Sequence, residues 1–171
     1  MLRVDLLIRA ANATSREKFV AANAGLFLVV YSHESEAISF STRLQAPTSG
    51  RPPPADEVAA VFPIVKSERS PYSERISLGR ATNCDIVLRH ASISKLHAHF
   101  KPGRDSELEI TDLDSRNGTR VNDRKLPPNA PRQLSVGDVI QFGTVPTRLV
   151  DGSGLFDLLH GDDEPPLGQA M

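Results

Sequence analysis

Past residue 59, the apolar positions of this 171-residue chain fall into short runs, each closed by turn-forming residues. The runs are AVFPIV (60–65), RISLG (75–79), DIVL (85–88), AHFKP (98–102), ELEITDL (107–113), TRVN (119–122), RQLSV (132–136), DVIQFG (138–143) and TRLV (147–150). Pro71, Asn83, Gly103, Asn117-Gly118, the stretch PPNAP and Gly137-Asp138 separate them. Short runs spaced by such turns indicate strands rather than helices, and nine of them predict an all-β sandwich or barrel.

The pattern ahead of this region differs. Thr14, Ser15, Arg16 and Glu17 read as a capping box with Thr14 at the N-cap and Glu17 at N3, opening a helix that Gly25 ends. LFLVVYS (26–32) reads as a buried strand, and AISFST (37–42) alternates and can pair with it. APTSGRPPPADE (46–57) holds three consecutive prolines and reads as a linker. Beyond the strand-rich part, a helix capped by Ser153 carries Leu155, Phe156, Leu158 and Leu159 and stops at Gly161, before an acidic, proline-containing tail. The expected division is a 1–45 α+β extension, a 46–58 linker, a 59–150 β domain, and a 151–171 short helix with a flexible tail.

Charge sharpens this picture. Residues 60–150 carry fourteen basic and ten acidic side chains, whereas 151–171 carry five acidic and no basic ones. A modest surplus without a dense basic patch points away from nucleic acid but leaves room for a local anion site. The single cysteine, Cys84, excludes an intramolecular disulfide and fits a reducing compartment. The longest apolar run, Leu26 to Tyr31, is far short of the roughly 20 residues of a membrane span. The N-terminal MLRVDLLIRAANA is interrupted by Asp5 and Arg9, unlike a secretory apolar core. The expectation is a cytoplasmic protein without a membrane partner.

Candidate chemistry gathers between Leu78 and Asn122. Ser94 and His97 lie three apart, but neither G-x-S-x-G nor a pair of oxyanion donors accompanies them, so they read as a turn and its supporting hydrogen bond. His97 and His99, with His90 or Cys84 near, match no zinc spacing and read as satisfied histidines in or near the core. The anion reading draws on several turns at once. Gly79-Arg80 ends one strand, Ser92, Ser94 and Lys95 sit in a later loop, and DSRNGTRVN (114–122) supplies a further turn. Loops at one end of a sandwich converge, and a guanidinium, a hydroxyl, an ammonium and an amide together suit a phosphate.

Four ordered blocks then carry a resemblance: Gly79-Arg80, Ser94 with His97, Asn117-Gly118-Thr119 with Asn122, and Gly137-Asp138 with Ile140 and Phe142-Gly143. In this order and spacing they resemble the forkhead-associated (FHA) domain, over residues of roughly 60–150. The resemblance implies an FHA-type eleven-stranded β-sandwich that binds phosphothreonine peptides through loops at one end, without catalysis, cofactor or metal. It implies that Arg80 holds the phosphate or the adjoining peptide backbone, Ser94 donates its hydroxyl to the phosphate, and Asn117 bonds the peptide main chain. Lys95 stands where members often have Arg or Asn, and loses the planar fork. Arg116 fills a variable place before Asn117. Gly79, His97, Gly118, Thr119 and Asn122 are implied to support the site. The implied partner is a phosphothreonine-containing protein, the product of a Ser/Thr kinase. The alternative is a phosphate-independent interaction scaffold on the same sandwich, which would not need the Arg80, Ser94 and Asn117 set.

Overall fold

Side-chain alternation sorts the apolar residues of the strands onto inner and outer faces, and two sheets close over the inner ones. The computed structural model describes residues 1–31, 58–68, 70–104 and 107–160. Among them are β1 (Leu26–Tyr31), β2 (Val58–Pro63), β3 (Ile76–Gly79), β4 (Ile86–Val87), β5 (Ala98–Pro102), β6 (Leu108–Asp112), β7 (Thr119–Val121), β8 (Arg124–Lys125), β9 (Pro131–Leu134), β10 (Val139–Phe142) and β11 (Val145–Asp151). One sheet has the order β2-β1-β11-β10-β7-β8 and the other β4-β3-β5-β6-β9. Eleven strands in two mostly antiparallel sheets make the β-sandwich expected from sequence, with β3 and β4 the parallel pair.

The interior combines Leu78, Phe100 and Ile110 from one sheet with Leu28, Val121, Ile140, Phe142 and Leu149 from the other. Phe100 meets Phe142 edge-on at a centroid distance of 6.3 Å, a favoured aromatic geometry. All nine apolar runs that follow residue 59 contribute strands. Two further strands complete the set. β8 is too short and too polar to be seen as a run. β1 comes from LFLVVYS, which lies on the far side of the proline-rich stretch.

The strand β1 explains its own unbroken hydrophobicity. It lies between β2 and β11, pairing Phe27 with Pro63 and Val150, and Leu28 with Phe62 and Leu149. Leu28 faces the sandwich interior, whereas Phe27 and Val29 face a second core. A strand buried on both faces reads as a continuous apolar run rather than an alternating one.

That second core is roofed by helices α1 (Val4–Ala13), α2 (Arg16–Ala22) and α3 (Gly152–His160). Ala11, Phe19, Leu155, Phe156, Leu158 and Leu159 are buried there against Val61 and Val150. The N-terminal residues thus build on the sandwich itself: they supply one strand of the sheet and two helices over its outer face. α1 is absent from the sequence-based expectation, because Asp5 and Arg9 break the apolar run. Its signal is the i, i+3, i+4, i+7 stripe of Val4, Leu7, Ile8 and Ala11, all of which belong to this core.

Both expected helix caps shift. Thr14 is extended (φ −131°, ψ 149°) and closes α1, so Ser15 takes the N-cap position of α2, without a side-chain capping bond. At α3 the cap is Asp151 rather than Ser153: Asp151 Oδ1 accepts the Gly154 N–H at 2.7 Å. Ser153 instead accepts a bond from Arg16 Nη2, which also reaches Asp157 at 3.0 Å. The expected strand at 37–42, the 46–57 linker and the tail from Gly161 lie outside the described residues. No helix among the described residues is long and apolar enough to cross a membrane.

Phe19 and Phe156 meet edge-on at 5.5 Å and carry the helical layer, while the Arg16–Asp157 pair lies at its surface. Phe156→Ala should therefore cost about 3–5 kcal/mol in urea unfolding. Arg16→Ala should leave the midpoint nearly unchanged, because exposed ion pairs are screened.

Candidate functional site

Three connections meet at one end of the sandwich: β3 to β4, β4 to β5, and β6 to β7. Their approach begins at Gly79. A Cβ there would lie 2.2 Å from the Lys95 carbonyl oxygen, so only glycine lets the β4–β5 loop close on the end of β3. The closure is a short ladder: Arg80 N–H donates to the Ser94 carbonyl at 3.0 Å, Ala81 N–H to that of Lys95 at 3.1 Å, and His97 N–H to that of Leu78 at 2.9 Å.

His97 then ties this loop to the next. Its side chain is fully buried. Nδ1 accepts the Ser94 N–H at 3.1 Å, and Nε2 faces the Gly118 carbonyl at 3.2 Å. One nitrogen must accept and the other must donate, which defines the neutral Nε2–H tautomer. Burial lowers the imidazole pKa below its ordinary value, outweighing the opposing pull of Asp112 and the Gly118 carbonyl. Asp112 Oδ2 stands 3.8 Å from Nε2, but with a neutral ring the two do not form an ion pair.

Asp112 has its own task. Its carboxylate accepts the Ser115 N–H at 2.9 Å, the Ser115 hydroxyl at 2.7 Å and the buried Thr119 hydroxyl at 2.5 Å. These bonds shape the turn that presents Arg116 and Asn117. Gly118, at φ +77°, continues the turn, and its carbonyl also accepts the Gly143 N–H at 3.0 Å.

The candidate ligand-facing groups stand on this frame. Arg80 is exposed, and its Nε donates to the Ile93 carbonyl at 3.0 Å. That bond aims the guanidinium and leaves both terminal nitrogens without a hydrogen-bond partner among the described residues. Ser94 Oγ accepts the Arg116 N–H at 3.1 Å, which leaves its own proton to donate outward. Asn117 Nδ2 donates to the Ser92 carbonyl at 2.7 Å, which leaves its Oδ1 to accept. Lys95 and Arg116 are exposed at the same end. The structure thus brings Arg80, Ser94, Arg116 and Asn117 into one hydrogen-bonded set, with Gly79, His97, Gly118 and Thr119 beneath it.

Asn122 belongs elsewhere. With Asp123 it forms the two-residue turn between β7 and β8, both at positive φ (+48° and +65°). Its amide bonds Asp138 Oδ1 at 2.8 Å and the Val139 N–H at 3.0 Å, which ties that turn to β10.

The two serines of the β4–β5 loop separate in role. Ser92 Oγ is occupied by His90 Nδ1 at 2.8 Å and by the N–H and hydroxyl of Thr144 at 3.1 and 3.0 Å. A Cβ on Gly143 would collide with Ser92 at 2.6 Å. Ser92 is therefore a latch between the loop and the β10–β11 turn. Nor is Ser94 an activated nucleophile, because its N–H, not its hydroxyl, meets the His97 ring.

Asp85 was not singled out by sequence and anchors the base of the Arg80 loop. Its carboxylate accepts the N–H and hydroxyl of both Ser67 and Ser77 at 2.6–2.9 Å, and Lys66 Nζ lies at 3.1 Å. Burial alone would raise its pKa. The four hydrogen bonds outweigh burial and hold it well below the usual carboxylate range. Its sequence signal was only an acid before an apolar run. Cys84, beside it, is buried, and burial raises its thiol pKa.

Comparison with known proteins identifies the type of domain that carries these loops. The FHA domain family profile matches residues 76–143. Human kanadaptin is 33% identical over 96 residues, 50% of this chain and 12% of its own length. The oxoglutarate dehydrogenase inhibitor of Corynebacterium jeikeium is 38% identical over 80 residues, 47% of this chain and 53% of its own. The chain thus spans about half or less of these curated relatives. The crystal structure of the FHA domain of CT664 protein from Chlamydia trachomatis superposes with a TM-score of 0.50 at 26% identity, covering 74% of this chain and 96% of that one.

Acid should weaken the fold in two stages. His97 and His99 both have pKa values lowered first of all by burial, so the unfolded chain takes up protons before the folded one. Their contribution is complete above about pH 6.5 and is lost as pH falls through the folded values. Asp85, also depressed, adds stability that is complete above about pH 4 and lost below it. Urea midpoints measured at stepped pH should show both declines, and Asp85→Asn should remove the lower one. A flat profile from pH 7 to 5 would contradict neutral buried histidines.

Proposed function

This chain is an FHA domain protein, and we propose that its Arg80, Ser94 and Asn117 bind a phosphothreonine segment of a partner protein. FHA domains bind phosphothreonine peptides. The observation that supports this role here is the direction of the unused hydrogen-bonding capacity. Arg80 keeps its terminal guanidinium nitrogens, Ser94 its hydroxyl proton and Asn117 its Oδ1, while each is held from behind by another bond. Two donors suit phosphate oxygens, and the acceptor suits a peptide N–H.

Lys95 and Arg116 add positive charge without the fixed fork of Arg80, so they strengthen attraction more than geometry. The domain is a binding module. The phosphothreonine it reads is the product of a Ser/Thr kinase, which places the chain in kinase signalling or in kinase-controlled assembly. A phosphate and a short extended peptide offer little buried surface, and a micromolar dissociation constant, about −8 kcal/mol, is the expected scale.

The test is an oriented phosphothreonine peptide library with unphosphorylated copies. Selective binding is expected, weakening with added salt. Arg80→Ala should lower affinity by about tenfold to a hundredfold, the scale of hydrogen bonds to a charged group. Equal binding of phosphorylated and unphosphorylated peptides would instead support the phosphate-independent scaffold.

A further inference from the structure

The outer face of the five-stranded sheet holds a buried imidazole without a partner. His99 alternates along β5 with Ala98 and Phe100, which face the sandwich interior, so its side chain leaves the opposite side of the sheet. It is nevertheless only 8% exposed. Neither ring nitrogen has a hydrogen-bond partner among the described residues, unlike the two nitrogens of His97. The expectation of a satisfied histidine therefore fails at this position. A buried polar group left unpaired weakens the fold, so this one calls for a physical explanation.

The ring borders a cavity of about 150 Å³ lined by Tyr72, Arg75, Ser77, Leu96, His99 and Leu113. Ser77 is already engaged: its hydroxyl donates to Asp85 Oδ2 at 2.8 Å and accepts the Asp85 N–H at 3.0 Å. Arg75 is exposed and has no hydrogen bond or ion pair among the described residues. Lys101 follows His99 on the same face of β5. Burial lowers the His99 pKa first, and the charges of Arg75 and Lys101 lower it further. Glu109, on the same sheet face, stands opposite Lys101 and does not counter them at His99. The cavity thus combines a positive field, an unpaired imidazole and apolar walls from Leu96 and Leu113.

We propose that this cavity is a binding site for a carboxylate group, carried by a small free acid or by a protein side chain. Arg75 supplies the planar fork that matches a carboxylate, and His99 supplies an N–H from within the cavity. Leu96 and Leu113 take the carbon that bears the group. A phosphate dianion suits the cavity less, because apolar walls offer nothing to replace its water. The site is independent of the phosphothreonine reading, since Arg80, Ser94 and Asn117 do not border it.

The test follows the imidazole resonances of the five histidines by NMR in the full chain, with His99→Leu identifying the His99 signals. Sodium acetate is titrated at constant ionic strength against sodium chloride, with acetamide as the uncharged isostere. The His99 signals should shift saturably, with a midpoint on the order of millimolar, the scale a four-atom ligand allows. Saturating acetate should also move the His99 titration midpoint upward by about 1 pH unit, because a bound anion favours the imidazolium. Arg75→Gln, at an exposed position that the fold tolerates, should weaken acetate about tenfold, the scale of hydrogen bonds to a charged group. A capped tripeptide with a central Glu separates the sources: binding at least as tight as that of acetate assigns a protein side chain, and exclusion of the peptide assigns a small free acid. No saturable shift, an equal response to chloride or acetamide, or a shift unchanged in Arg75→Gln overturns the site and leaves a water-filled cavity only.

Discussion

A single buried, uncharged imidazole holds the loop end of this sandwich together. His97 reads one loop through an accepted N–H and the next through a donated one, so each ring nitrogen has a different obligation. Protonation at Nδ1 turns the acceptor into a donor and breaks the bond from Ser94, while the bond from Nε2 to the Gly118 carbonyl persists. Phe142 packs against the ring at 5.8 Å and supplies part of the burial that keeps it neutral. The positions of Ser94 and Asn117 follow: one donates its N–H to this ring, and the other precedes the carbonyl the ring faces. Surface chemistry is thereby set by an interior group that touches no ligand.

A second dependence runs the other way through the molecule. The segment matched by the FHA profile begins at β3, yet β1 and β2 lie outside it and complete the sheet that holds β7 and β10. β1 needs cover on both faces. The sandwich interior covers one, and the three helices cover the other. The tightness of that cover shows at Gly152, where a Cβ would lie 2.4 Å from the Asn23 carbonyl oxygen at the end of α2. The helices are therefore part of what permits this sheet, and the sheet positions the β10–β11 turn that latches Ser92.

What could be read from the sequence follows from where each signal resides. Strands with alternating or wholly apolar runs were legible, because burial writes itself into side-chain type. The glycines at 79, 118 and 143 were legible through their motifs, and the structure supplies the reason: backbone or side-chain atoms occupy the space of the missing Cβ at each. The caps were misplaced by one and two residues, since Thr14 and Ser15, or Asp151 and Ser153, are chemically similar choices that only backbone direction separates. β8 escaped because two exposed basic residues carry no hydrophobic pattern. Ser94 was set apart from Ser92 only through its motif with His97, and the role of Ser92 stayed hidden because it lies in Thr144, fifty-two positions away. The Asp85 cluster was equally silent, being a product of tertiary pairing rather than of composition.

The pairing of β1 with β11 also has a temporal side. β1, which lies between β2 and β11, is the first strand of the described chain to be synthesised, and β11 is the last. During translation LFLVVY follows α1 and α2 but lacks its neighbour β11 and the third helix until these have left the ribosome. Contacts of such sequence separation are slow to form, and waiting apolar strands invite association with other chains. The sheet that holds β7 and β10 is therefore incomplete until nearly the whole described length of the chain is available.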